Sequence, residues 1–166
     1  KPLQPTQGNL FDEPLEEITP HPSPFDLPKD FTDIHSTPHS YVLIEGEEKL
    51  EELNRKLCAQ STVSFDTETT GTDPLLAELV GMSFAFTEGE AFYIPISSKR
   101  EEAQRQVNFF KSFLENESIE KVGQNLKYDI LELRNYGIEV KGKLFDTMIA
   151  HYLLNPELRH GMDYMA

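Results

Sequence analysis

The sequence predicts an α/β protein, a mixed sheet with helices on both faces, confined to residues 41–166. Three observations predict it. Short apolar stretches with strand-like alternation run from Thr62 to Ile96. Beyond them, stripes of apolar residues at helical spacing alternate with brief strand-like runs, the pattern of a sheet flanked by helices. Proline divides the chain, since residues 1–40 hold eight of its eleven prolines.

Those first forty residues carry seven acids against two lysines and no apolar period. Such a composition cannot bury enough apolar surface to offset chain entropy, so a Pro-rich acidic linker without fixed structure is expected. At Tyr41 the pattern changes. Tyr41-Val42-Leu43-Ile44 reads as a strand, and Leu50, Leu53 and Leu57 mark one face of a helix. Three strands follow: one around Asp66, then Met82-Phe84-Phe86, then Phe92-Ile94-Ile96, with turns at Gly71 and Gly89. A helix from Glu101 to Asn116 places Ala103, Val107, Phe110 and Leu114 on one face, an ordinary core stripe rather than a base-stacking platform. A strand near Val122, a helix carrying Asp129, a short strand at Leu144-Phe145 and a helix from Met148 to Leu153 complete the order. No internal repeat is present.

Composition excludes several classes. Hydrophobic residues make up 38% of the 166, enough for one core, while a mean hydropathy of -0.47 and the absence of any long apolar run argue against a membrane span. No charged-then-apolar leader pattern opens the chain, and Cys58 is its only cysteine, so internal disulfides are excluded and a reducing, cytoplasmic setting is expected. Cys58 follows Leu57 on an apolar helical face, where packing is the expected role. A formal net charge of -14 is unusual for a chain that grips phosphates. Cations held by carboxylates would supply local positive charge.

Candidate chemistry begins at Asp66-Thr67-Glu68-Thr69-Thr70-Gly71. Strand side chains repeat every two residues, so Asp66 and Glu68 point to one face and Thr67 to the other. Acids are depleted in strands, and a pair at the end of an apolar strand fits a divalent cation better than chance acidity. Gly123-Gln124-Asn125-Leu126-Lys127-Tyr128-Asp129 opens a later helix. Asn125 and Asp129, four apart, share a face distinct from the apolar stripe Leu126, Ile130, Leu133. Asp129 is therefore expected to project toward a site rather than into the core. Asn125 alone could be a helix cap, but that leaves the acidic strand unexplained. Asp146, at the start of the helix after Phe145, is expected to cap that helix rather than bind metal.

D-T-E-T-T-G followed by N-x-x-x-D resembles the first two motifs of the DEDD superfamily of 3′–5′ exonucleases. Further blocks are similar to the bacterial DNA polymerase I family: Glu78 to Phe84, Tyr93-Ile94-Pro95, Gly123 to Asp129, Asn135 to Glu139, and Phe145-Asp146-Thr147-Met148. The resemblance runs from about Tyr41 to the end of the chain and implies a ribonuclease-H-like fold. It also implies two Mg²⁺ or Mn²⁺ ions: Asp66 would bridge them, Glu68 would hold the one that activates water, and Asp129 would support the second through water. Thr67, Gln124 and Asn125 would lie near the 3′ end of single-stranded DNA. A polymerase domain of the same chain is the implied partner.

A fourth carboxylate, in a Tyr-x-x-x-Asp or His-x-x-x-x-Asp motif, belongs to that superfamily. No Tyr here has Asp four residues on, and only His21, in the linker, has Asp five on. The expectation is that the exonuclease domain is incomplete at its C-terminus and hydrolyses DNA poorly alone. Alternatives are a catalytically silent scaffold domain, for which the loss of motif acids would be the mark, and a free-standing DEDD ribonuclease. In the linker, Gln7, Leu10 and Phe11 resemble the short sliding-clamp-binding peptides of bacterial replication proteins.

Overall fold

The protein is described here by a computed structural model covering residues 34–165. The chain divides into a unit Lys1–Ser36 and a unit Thr37–Ala166, and every described helix and strand lies in the second. Gln7, Leu10 and Phe11 lie outside the described residues, as does most of the expected linker.

In chain order the elements are β1 (Ser40–Leu43), α1 (Glu47–Cys58), β2 (Thr62–Thr69), β3 (Leu79–Thr87), β4 (Glu90–Pro95), α2 (Arg100–Phe109), α3 (Lys111–Leu114), β5 (Glu120–Gly123), α4 (Leu126–Arg134), β6 (Leu144–Asp146), α5 (Thr147–Leu154) and α6 (Met162–Met165). The strands form one six-stranded mixed sheet in the order β1-β4-β3-β2-β5-β6. β2, β3 and β4 make an antiparallel meander, and β1, β5 and β6 join in parallel. This is the α/β architecture the sequence predicts.

Alternation along the meander sorts the faces. Val63, Phe65, Met82, Phe84, Phe92 and Ile94 are buried and share a core with Leu50, Leu53 and Leu57 of α1 and Val107 of α2. Each such side chain contributes roughly 1.5–3 kcal/mol by leaving water. The helix expected over Glu101–Asn116 breaks in two at Phe110, whose ψ of 1° tightens the chain there. The break turns Phe113 inward beside Phe110 and Leu114. Phe84 then meets both rings, at centroid distances of 5.0 and 5.7 Å. Cys58 packs against the core from its edge, in keeping with a packing role.

Two ionisable groups are buried where the apolar pattern gives no hint of them. Lys121 on β5 donates from Nζ to the carbonyls of Asn116 (2.5 Å) and Lys141 (2.7 Å), tying β5 to the segment that leads into β6. Burial lowers its pKa to about 8. Glu132 on α4 is fully buried, and among the described residues neither carboxylate oxygen has a hydrogen-bond partner.

Candidate active site

β2 outlasts its neighbour. It pairs with β5 only over Thr62–Ser64, so its later amides on that side have no strand to meet. The N-terminal end of α4 fills the gap: Asp129 Oδ1 accepts from the Thr67 amide at 3.0 Å and from Thr67 Oγ1 at 2.6 Å. Asp129 is expected to project toward a site rather than into the core; the structure instead buries it. Its side chain is 3% exposed, turned into the sheet because an unpaired buried amide needs an acceptor.

Asp66 and Glu68 do share one face, as alternation requires. Glu68 is exposed and Asp66 half-buried. Burial pushes the Asp66 carboxyl above its ordinary range, and the Glu68 charge adds to the rise. Asp129 is pushed up to about 6, first by burial, against the Thr67 hydroxyl bond and with the Asp66 charge raising it further. Asp66 thus feels the Glu68 charge and Asp129 feels that of Asp66, yet no three His, Cys, Asp or Glu side chains among the described residues converge into a metal cage. Hard Mg²⁺ is commonly held by one or two carboxylates with the rest of its shell water. An Asp66–Glu68 pair with Asp129 one layer behind fits that demand, and all three offer oxygen donors.

Asp146 organises the helix starts. It accepts from Met148 N (2.9 Å) and Ile149 N (3.3 Å), the predicted cap of α5. It also accepts from Asn125 N (3.1 Å) and Leu126 N (2.8 Å), capping α4 across the chain. Asn125 itself does not cap: it holds a left-handed φ of 58°, and its side chain makes no hydrogen bond among the described residues. Gln124 is fully engaged, donating to the His160 carbonyl at 2.8 Å and accepting from Thr147 Oγ1. Tyr128, which the pattern did not single out, bonds to Thr69 Oγ1 (2.6 Å) and the Gly71 carbonyl (2.5 Å), fastening the loop after β2. Only a tertiary contact reveals that role.

A wider groove of about 510 Å³ runs between α4, β6 and α5, lined by Leu126, Ile130, Phe145 and Ile149 among others. Asp146 is its only acid among the described residues.

Residues 41–166 match a family described as 3′-5′ exonuclease. The chain belongs to that exonuclease family. It is 39% identical over 121 residues to DNA polymerase I of Pseudomonas aeruginosa, covering 68% of this chain and 13% of the relative. DNA polymerase I of Rhizobium leguminosarum is 37% identical over 169 residues, covering 85% of this chain and 16% of the relative. The chain therefore spans a small part of the length of the curated relatives it matches. Solved structures agree on the fold of the exonuclease. The catalytic core of Rrp6 from Trypanosoma brucei superposes with a TM-score of 0.62 at 18% identity, over 81% of this chain and 35% of that one. Escherichia coli RNase D, an exoribonuclease, gives 0.60 at 22% identity over 76% and 32%. Brucella melitensis NrnC bound to pGG gives 0.59 at 22% identity over 76% and 59%. The ribonuclease-H-like fold expected from the motifs is the observed one. No described helix of this exonuclease chain is long and apolar enough to cross a membrane.

Proposed function

We propose that residues 41–166 are the proofreading 3′–5′ exonuclease domain of a bacterial, cytoplasmic DNA polymerase I, joined by the linker 1–40 to what precedes it. The observation that carries the reading is the acid pair Asp66–Glu68 on an open strand face, with Asp129 anchored one layer behind at Thr67. Asp66 and Glu68 would hold the divalent ions, and Asp129 would take part through water. Two such ions supply an activated water and neutralise the attacking and leaving oxygens of a phosphodiester. The chain's own residues set the stage: Thr67 fixes Asp129 by two bonds, and Asp146 fixes the left-handed turn at Asn125. Asn125, whose side chain makes no hydrogen bond among the described residues, would contact the 3′ nucleotide. Gln124 supports the turn from behind, through the His160 carbonyl. The acids of both motifs stand, which disfavours a silent scaffold.

The test uses the polymerase polypeptide that carries this domain, with 3′-labelled single-stranded DNA and RNA offered side by side in Mg²⁺ or Mn²⁺. DNA should be shortened from its 3′ end, with loss of hydrolysis in EDTA and in Asp66→Ala or Asp129→Ala, while polymerisation persists. Full exonuclease rates from Asp66→Ala would overturn the assignment. Preference for RNA would move it to the free-standing ribonuclease reading. The linker peptide around Gln7, Leu10 and Phe11 is proposed to bind the sliding clamp, tested by titrating it against the clamp with Leu10→Ala and Phe11→Ala as controls.

A further inference from the structure

Tyr93 enters the face of the acid pair by an unusual route. Strand register places Asp66 opposite Ser83 and Glu68 opposite Gly81, and Ser83 in turn opposite Tyr93. Paired residues share a face, so Tyr93 stands on the open side with both acids. Its side chain is 39% exposed rather than buried in the core. It leans diagonally across β3 and lies over Gly81. A Cβ added there would clash with its hydroxyl oxygen and sit 2.6 Å from its Cζ. Glycine at 81 is therefore the slot that lets the phenol cross β3. Directly opposed Cβ positions in such a pair are about 4.5–5.5 Å apart, so the phenol ends beside the stem of Glu68. Among the described residues the Tyr93 hydroxyl has no hydrogen-bond partner. A neutral phenol is a donor that two carboxylates do not repel, whereas a bound phosphate would accept from it.

We propose that Tyr93 is a substrate-contacting residue of the exonuclease site, its hydroxyl donating across Gly81 to a phosphate oxygen of the 3′-terminal nucleotide held at Asp66 and Glu68. This rests on the exonuclease reading of the acid pair. The same placement makes Gly81 a specific requirement: alanine there evicts the phenol without touching its chemistry.

Two probes test it on the full chain. Tb³⁺ is a hard ion that binds carboxylates, and its emission is sensitised when a nearby tyrosine is excited. Mg²⁺-displaceable emission is expected from the unaltered chain. It should be lost in Asp66→Asn with Glu68→Gln, and should fall in Tyr93→Phe although Tb³⁺ still binds, with Tyr128 beside Thr69 supplying the remainder. The second probe is thymidine 5′-monophosphate with Mn²⁺, followed by calorimetry. Tyr93→Phe keeps the ring over Gly81 and should weaken binding about tenfold, the loss of one hydrogen bond to a charged group. Gly81→Ala should match it, and the double variant should cost no more than either alone. Unchanged nucleotide affinity and emission in Tyr93→Phe, with both lost in the acid variants, overturns the role of Tyr93 alone. Absence of displaceable Tb³⁺ and of nucleotide binding in the unaltered chain overturns the metal reading together with it.

Discussion

Among the described residues Glu132 is the least exposed acid, and in energetic terms it is a weak point of this fold. It is 0% exposed, and among the described residues neither oxygen meets a partner at hydrogen-bond geometry. Burial raises its pKa above the ordinary glutamate value, against the opposing pull of the Arg100 charge and Asn135, with Glu78 adding to the rise. A buried polar group left unpaired costs about 1–3 kcal/mol, more when charged. Glu132→Met keeps the length of the side chain and fills the same space with a flexible apolar group. It should therefore stabilise the protein by about 1–3 kcal/mol at pH 7.5, a Tm gain of several degrees for a domain of this size. The sign with pH is fixed by the raised pKa. Between the unfolded value of 4.5 and the higher folded one, the native state binds more protons, so its stability falls as pH rises through that window. The advantage of Glu132→Met should accordingly shrink from pH 7.5 toward pH 4.5. Urea melts at several pH values measure both, and Glu132→Gln separates charge from polarity because it keeps the shape and an unpaired amide. A less stable Glu132→Met at pH 7.5, or an advantage that does not change with pH, would refute the reasoning.

Asp146→Ala removes an acceptor from four amides at two helix starts; with each cap worth about 0.5–2 kcal/mol, the loss should be roughly 1–4 kcal/mol in urea melts, and smaller for Asp146→Asn. Thr67→Val deletes the 2.6 Å hydroxyl bond that favours ionised Asp129, so the carboxyl should titrate above its value of about 6, read from its side-chain ¹³C shift in EDTA. Mg²⁺ should raise Tm in the unaltered chain more at pH 7.5 than at pH 5, because Asp66 and Asp129 are raised in pKa and take up protons on acidification. An equal Mg²⁺ effect at both pH values would count against the acid pair as its site.

Local patterns carried much of this. Period-two alternation was enough to put Asp66 and Glu68 on one face, and the stripe Leu126, Leu133 was enough to bury one side of α4. Asp146 was legible as a cap of α5 because a cap and its helix are neighbours in sequence. Its second duty, to the amides of Asn125 and Leu126, joins residues 21 and 20 apart and leaves no periodic trace. The inward turn of Asp129 was hidden for a related reason. It depends on β5 ending its pairing at Ser64, a fact about register between two strands rather than about either one. The break at Phe110 was masked by its own success: Ala103, Val107, Phe110 and Leu114 are all buried, so the stripe stays continuous while the backbone tightens. Lys121 and Glu132 are buried by tertiary packing at positions that no apolar period marks.

The position of Asp129 is determined by a chain of dependencies that begins far from the acid pair. Lys121 fixes β5 by binding the Lys141 carbonyl, and the backbone of Lys121 accepts its register from the stretch before β6. β6 is only three residues long and ends in Asp146, which holds the first amides of α4. α4 then carries Asp129 to the unpaired amide of Thr67, next to Asp66. Each link has one solution, because carbonyls, helix-start amides and a lone strand amide all demand a partner once buried. Asp129 is thus held by polar bonds to Thr67 rather than by apolar packing alone. That arrangement lets mutually repelling acids sit together: the repulsion between Asp66 and Asp129 is opposed by bonds that do not weaken when the acids ionise, and the two Thr67 donors bind the ionised form of Asp129 more strongly than the neutral one.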